Sequence, residues 1–406
     1  MMINRNRVGL CFAMTTLFVS SAANAVGFRL PNQDPEGIAR GNAFVATADN
    51  PSAIYHNPAG ISQLGEGNHV SVGAYLISVN SDFESTTSGL ADETDESVQA
   101  VPQLHYVHNF SDSKFSTGVG IYAPYGLGIE WGGSAFPTLA EEGELTYISF
   151  NPVVAYQISP SLSIAGGLTI NYSDVDLTQE IGIVPDDEFN VRGDGTDVGF
   201  NLGVLWNITS KTTFGASYRS ETEIDYDGES RATSSPVAQG FVDTSASLVF
   251  PEYLDVGVGY RPFNDWLFEV NIDWTNWDDV NETTFVGTAL GDLVLPLNYS
   301  SSFMYEFGLT KTLGNQLLLS AGYIFSENSA PDQNFTPFNP DADFHLGSIG
   351  IASREGRIGW SVGYHFAYNG GRDVSGNQAQ SLLGETADGE FRTFNHALNF
   401  AFKLSF

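Results

Sequence analysis

The chain has 406 residues, with 16 Lys+Arg against 48 Asp+Glu and a formal net charge of −32. So negative a protein repels nucleic acid and excludes a groove that tracks phosphates. Its 13% aromatic content is far too high for an acidic disordered chain, so the charge does not signify disorder.

Residues 1–25 read as a secretory leader. Arg5 and Arg7 make a positive start, "VGLCFAMTTLFVSSA" an apolar core, and Ala23–Asn24–Ala25 a small-residue cleavage site. The run is too short to span a bilayer. The single cysteine, Cys11, lies within it, so the mature chain has no disulfide or thiolate chemistry. Removal of Arg5 and Arg7 leaves 14 Lys+Arg against 48 Asp+Glu, a net of −34. No run in residues 26–406 approaches the roughly 18 apolar residues of a spanning helix. Two classes remain, a soluble exported β protein and a transmembrane barrel.

Residues 26–66 differ from the rest of the mature chain. Asn50–Pro51 and Asn57–Pro58 are two Asn-cap, Pro-at-N1 helix starts, and Gly65 is a stop. The segment is rich in small residues and nearly free of charge runs. Ahead of a barrel such a segment sits either outside as a linker or inside as a plug; its content favours the inside, a hatch, and residues 67–406 are expected to form the barrel.

Alternation predicts about fourteen strands: 68–80, 100–110, 114–126, 145–158, 161–176, 197–208, 212–226 and 244–260, then 265–278, 301–313, 315–326, 343–353, 356–369 and 391–406. In "RIGWSVGYHFAYN" one face carries Ile358, Trp360, Val362, Tyr364, Phe366 and Tyr368, the other Gly359, Ser361, Gly363, His365, Ala367 and Asn369. In "DWLFEVNIDWTNW", Trp266, Phe268, Val270, Ile272 and Trp274 oppose Glu269, Asn271, Asp273 and Thr275. A long apolar face ending in aromatics suits a lipid band, and a Gly/Ser/Asn/Asp face suits a wet or small-residue interior.

Six tight connectors (111, 159, 209, 261, 313, 353) alternate with seven long ones (81–99, 127–144, 177–196, 227–243, 279–300, 327–342, 370–390). Short periplasmic turns against long external loops are the outer-membrane barrel pattern. The last strand aligns Phe394, His396, Leu398, Phe400, Phe402, Leu404 and the terminal Phe406 on one face. This resembles the signal read by the barrel assembly machinery.

Pro124, in "GIYAPYGLG", interrupts the third strand. Lacking an N–H, it either ends the strand at the rim or breaks the ladder within the wall. Arg219 alternates with Glu221, Glu223 and Asp225 on the expected inward face of the seventh strand. It can orient a carboxylate, or pair with those acidic neighbours, the preferred role.

Catalytic and metal chemistry find little support. His105 and His108 are three residues apart and fall on opposite strand faces. No Ser-His-acid set stands out. The acidic stretch "DDEFNVRGDGTD" lacks the order of a calcium loop, and Arg192–Gly193–Asp194 is too short to signify adhesion. No enzyme, metal site or cofactor is expected.

The blocks "VGFRL", "GIARGNAFVATADNPSAIYHNPAGISQL", "YAPYGLGIEW", "ASYRSETEIDYDG" and "FPEYLDVGVGYRPFNDWLFEVNIDWTNW" resemble the FadL/TodX transporters of hydrophobic compounds in the Gram-negative outer membrane. The resemblance implies an all-β, fourteen-stranded monomeric barrel with an N-terminal hatch. It implies passive uptake of hydrophobic molecules, long-chain fatty acids by default, with sideways release at a kinked third strand. Phe28 would be the hatch residue reaching the pocket, Asn57–Pro58–Ala59 would face the wall opening, and Pro124, Tyr125 and Gly126 would form the gate. Arg219 is a candidate headgroup contact. Other partners would be membrane lipid, lipopolysaccharide and the assembly machinery, with no nucleic acid.

Fatty-acid importers of the family tend to carry basic residues near the end of the fifth strand. Here that stretch holds Asp174, Asp176 and Glu180 and offers a carboxylate little attraction. Neutral alkanes or monoaromatics are therefore alternative cargo, and a structural or adhesive barrel is the reading without transport.

Overall fold

The computed structural model describes residues 27–133, 135–184, 187–233, 240–379 and 384–406; the expected leader, 1–25, lies outside the described residues. Among these the wall has fourteen antiparallel strands. They are β1 (Gly67–Ser85), β2 (Gln99–Asn109), β3 (Phe115–Glu130), β4 (Glu142–Ser159), β5 (Leu162–Glu180), β6 (Glu188–Asn207) and β7 (Thr212–Arg219, continued by Thr222–Ala232). The second half comprises β8 (Val242–Phe250, continued by Tyr253–Tyr260), β9 (Trp266–Thr275), β10 (Ser302–Leu313), β11 (Leu317–Ser326), β12 (Phe344–Ser353), β13 (Ile358–Asn369) and β14 (Gly389–Ser405). The first and last strands pair from His69↔Ser405 to Ser85↔Gly389, so the sheet closes without an edge.

The two faces follow the expected alternation. Along β13, Trp360, Tyr364, Phe366 and Tyr368 are exposed, while Gly359, Ser361, Gly363 and His365 are buried. Along β9, Glu269, Asn271, Asp273 and Thr275 point inward. No helix among the described residues is long and apolar enough to cross a membrane; the apolar band lies on the outside of strands.

Several strands run further outward than alternation predicts, β3 to Glu130 and β5 to Glu180. Beyond the lipid band the outward face is no longer apolar, while Leu127, Ile129, Val175 and Leu177 pack inward on one apolar cluster. The outward apolar period ends there, and the ladder pairing continues. Within the expected loop 279–300, Glu282–Thr288 and Gly291–Pro296 pair as a hairpin.

The seventh and eighth strands depart from simple alternation. Ser220–Glu221 in β7 and Pro251–Glu252 in β8 interrupt neighbouring ladders at one level. Inward positions are therefore Arg219 then Thr222 in β7, and Phe250 then Tyr253 in β8. A slip of one residue reverses every later side chain. Glu221, Glu223 and Asp225 consequently face outward and Ile224 and Tyr226 inward, which overturns their expected alignment with Arg219.

Residues 27–61 are buried almost throughout and bond to the inner wall all round. Asn32 donates to the Tyr75 hydroxyl of β1, Asn57 to the Val204 carbonyl of β6, and Thr47 to Glu269 of β9. Close approach explains the inner glycines. A Cβ at Gly322 of β11 would lie 2.0 Å from the Gly41 nitrogen, and one at Gly215 of β7 2.1 Å from the Val45 oxygen.

Asn57 caps Pro58–Gln63 as expected, accepting from the Ala59 N–H. At Asn50 the expected start shifts. Its side chain closes a turn on Ser52, at 2.8 Å from the nitrogen and 2.7 Å from the hydroxyl, and the helix begins at Ala53. An unanticipated helical turn, Pro35–Ile38, is capped by Asp34 with Pro35 at its first position.

Few as they are, the charges of this segment fasten it. Glu36 pairs with Arg354 in the β12–β13 turn and with Lys403 of β14, at 2.5 Å for the latter. Asp49 pairs with Arg354 at 2.8 Å, and Arg40 lies 3.8 Å from Glu36. Burial alone would raise the Glu36 carboxyl, but Arg354 and Lys403 outweigh it and bring its pKa from 4.5 to about 2. Burial lowers His56 from 6.5 to about 3, so it stays neutral.

Both shifts make the released segment bind more protons than the docked one, so acid weakens docking. The His56 contribution is complete above pH 6.5 and fades as pH falls toward 3; that of Glu36 is complete above 4.5 and fades toward 2. Amide exchange in residues 34–56, corrected for intrinsic rates, should rise relative to the wall as pH falls from 7 to 3. The His56→Phe variant should lose the upper part of that response and Glu36→Gln the lower; a flat profile in wild type would contradict the linkage.

Candidate functional site: an interrupted wall beside an apolar chamber

β2 and β3 pair only from Asn109↔Ser116 to Leu104↔Ile121. Beyond that, residues 99–103 of β2 remain bonded to β1 but have no β3 partner. On its other side β3 continues to pair with β4, with a shift between Tyr122↔Ser149 and Tyr125↔Tyr147. One extra residue on β3 is thus absorbed at Ala123–Pro124, a β-bulge at a residue without a donor. From Tyr122 to Leu127 every residue is buried, so the strand has left the outer surface. Outward Val72, Leu104, Leu398 and Phe402 are exposed at this level, which places the interruption in the apolar band. Pro102 sits on the unpaired β2 stretch, so each edge carries a proline.

The N-terminal segment occupies the vacated ladder. Arg29 forms a β-bridge with Tyr125; Leu30 N–H donates to the Pro124 carbonyl at 2.7 Å, and Gly126 N–H to the Phe28 carbonyl at 2.9 Å. Gln33 donates to the Ala123 carbonyl at 2.6 Å. Phe28, Pro124, Tyr125 and Gly126 are therefore brought together. Asn57–Pro58–Ala59 lies elsewhere, with Asn57 and Pro58 packed on Gly203 of β6.

Phe28 projects into a chamber packed with aromatic side chains. Its ring centre lies 4.9 Å from Trp277, 5.5 Å from Phe250 and 6.0 Å from Tyr125. The cluster continues outward through Trp131, Phe136, Phe335 and Phe391. Gly27 has φ +59°, and a Cβ there would meet the Trp277 ring at 2.5 Å; only glycine brings the chain to this position.

A polar shelf holds the segment beside the chamber. Arg29 grips Asp273 of β9 with two bonds of 2.7 Å, donates to Thr275 at 2.7 Å, and lies 3.5 Å over the Tyr253 ring. Arg219 donates to the hydroxyls of Tyr253 at 2.8 Å and of Tyr122 at 2.7 Å. Its remaining terminal nitrogen has no hydrogen-bond partner, and no carboxylate pairs with it among the described residues. The expected pairing with acidic neighbours fails because of the slip at Ser220. Alternation could not reveal the Arg29–Asp273 pair, which joins residues 244 positions apart.

Asp174 and Asp176 also fall on the outer face. Ser173 faces in, and Val175 and Leu177 pack against the chamber cluster. The acidic fifth-strand end therefore does not line the chamber, contrary to expectation.

Removing Arg29 leaves Asp273 buried without its partner. Arg29→Met should cost about 3–5 kcal/mol, seen as a lower unfolding midpoint in detergent. The double variant Arg29→Met/Asp273→Leu should recover most of the loss. Equal midpoints for the single and double variants would show that the pair does not act as a unit.

The profile of the outer membrane protein transport protein family (OMPP1/FadL/TodX) matches residues 16–406. The long-chain fatty acid transport protein of Escherichia coli K12 is 23% identical, covering 96% of this chain and 97% of that protein. Among solved structures, a Pseudomonas aeruginosa FadL homologue superposes with a TM-score of 0.81 at 15% identity, covering 94% of this chain and 100% of the other. The Pseudomonas putida toluene transporter TodX gives 0.72 at 17%, covering 93% and 99%. These two likenesses show the shared barrel fold. The chain belongs to the OMPP1/FadL/TodX family and is an outer-membrane β-barrel transport protein for hydrophobic compounds, not an enzyme.

Proposed function

We propose that this protein takes up long-chain fatty acids by passive diffusion and releases them sideways into the bilayer between β2 and β3. The observation that carries this reading is the interrupted ladder. Wall strands β2 and β3 part within the apolar band, and the short N-terminal stretch Phe28–Leu30 pairs along the vacated edge of β3. Residues 26–66 act as the hatch. Withdrawal of Phe28–Leu30 opens a path from the aromatic chamber to lipid that never crosses water. The cost of moving an apolar chain through water grows by about 0.8 kcal/mol per CH₂, so a lateral route favours long cargo.

The Arg219 nitrogen supports a carboxylate headgroup. A buried guanidinium with an unfilled donor position gains a charge-assisted hydrogen bond from such a ligand, and Arg219 bonds to Tyr122 beside the bulge. The second reading, neutral monoaromatics, is favoured by the chamber itself, whose lining around Phe28 is aromatic. The related TodX is a toluene transporter.

Binding of radiolabelled oleate and toluene to detergent-purified protein separates the two. Saturable oleate binding should weaken about tenfold in Phe28→Ala, the size of one lost buried contact, and in Arg219→Gln. Toluene binding insensitive to Arg219→Gln, with no oleate binding, would move the assignment to neutral hydrocarbons; binding of neither would remove the chamber as a cargo site. Pro124→Ala supplies a ladder donor. It should slow uptake several-fold while the heat-modifiable folded band on gels stays unchanged, and unaltered uptake would take Pro124 out of the gate.

A further inference from the structure

The connection between β11 and β12, residues 327–342, does not lie on the surface as external loops usually do. Ala330, Phe335, Phe338, Asn339 and Asp341 are buried, and Phe335 and Phe338 belong to the same apolar cluster as Phe28 and Trp277. The Phe335 ring lies 4.6 Å from Phe391 of β14. The Pro337 carbonyl accepts from the Trp131 indole at 3.0 Å. This loop fills the outer part of the chamber.

Many of its fastenings come from the connection between β13 and β14, with further bonds from Trp131 and from the β9–β10 connection, where Asn298 bonds Asn334, the Tyr299 hydroxyl accepts from Asn339 and the Ser300 N–H donates to the Ser329 carbonyl. Arg372 donates to the carbonyls of Asp341 at 2.7 Å and Ala330 at 2.6 Å, and to the Asp332 carboxylate at 2.8 Å. The Arg372 guanidinium sits 4.9 Å over the Phe335 ring. Asn377 donates to the Asp332 and Phe335 carbonyls at 3.0 and 2.8 Å. At the inner end, Asp341 accepts from the Gly27 N–H at 3.4 Å, next to Phe28.

We propose that residues 327–342 are an outer lid whose Phe335 and Phe338 occupy, in the empty protein, the space that cargo takes when bound. The proposal rests on the reading of the chamber as a hydrophobe path. The lid's bonds to Arg372 and Asn377 are only partly buried, so water can take their place as the lid lifts. Its apolar tip cannot leave without exposing the chamber unless another apolar molecule covers the same surface. Opening is therefore favoured by cargo through differential burial. Through Asp341 and Gly27, withdrawal of the lid removes a contact that holds the residue beside Phe28, so entry loosens the segment pairing with β3.

Gln333 and Gln378 provide the test. Both are exposed, and the Gln378 N–H bonds the Gln333 carbonyl at 2.9 Å, so cysteines there can staple the lid to its neighbour without touching the chamber. Gln333→Cys/Gln378→Cys should lose at least tenfold in oleate and toluene uptake when oxidised, and recover with dithiothreitol. Uptake unchanged in protein shown by mass spectrometry to be fully cross-linked would overturn the lid. If unmodified protein carries neither probe, the passage reading fails, and amide exchange decides the lid by itself. Arg372→Ala should raise exchange across residues 327–342 at least tenfold while that of β11 and β12 stays constant; unchanged exchange would refute the latch.

Discussion

A strand edge inside hydrocarbon leaves N–H and C=O groups without partners, and closed barrels exist because closure removes such edges. This barrel closes fully between β1 and β14 but opens an internal edge between β2 and β3. The groups freed on β3 are not abandoned. Phe28 and Leu30 bond the backbone of Gly126 and Pro124 as a surrogate strand. Placing Phe28 in the chamber, fixing Arg29 on Asp273 and burying the whole segment all depend on that substitution of one strand for another.

For the sideways release proposed above, a surrogate strand must be held firmly enough to seal and loosely enough to leave. The ionic cluster around Glu36, Arg354 and Lys403 holds the segment at the turn side, and the Arg29–Asp273 pair holds it beside the gap. Between them the contact with β3 is short, a single bridge flanked by a few backbone bonds. Pro102 and Pro124, one on each edge, have no N–H to offer a β2–β3 ladder there. The weak joint is thus local.

The inner face shows why a barrel can carry so much glycine and asparagine. Backbone of the N-terminal segment touches backbone of the wall at positions such as Gly322, where any side chain would push it away. Asparagines of the wall, among them Asn201 and Asn271, meet carbonyls that the irregular segment leaves unpaired. Buried between segment and wall, these groups are met by side chains.

Much of this was legible from sequence. Period-two alternation located the strands, because lipid outside and packed polar groups inside demand opposite chemistry on neighbouring residues. The alternation of short and long connectors gave the sidedness, and Pro124 marked the fault. What alternation could not convey was its own failure. The slip at Ser220–Glu221 and Pro251–Glu252 reverses inside and outside, turning Glu223 and Asp225 to the exterior and leaving Arg219 among tyrosines. The Arg29–Asp273 pair and the insertion of Phe335 and Phe338 likewise join residues far apart in the chain. Local patterning decided which residues face lipid, since that depends on each strand alone. Only the tertiary structure decided which buried charges meet and which loop fills the chamber, because those contacts exist only once closure brings distant strands around one interior.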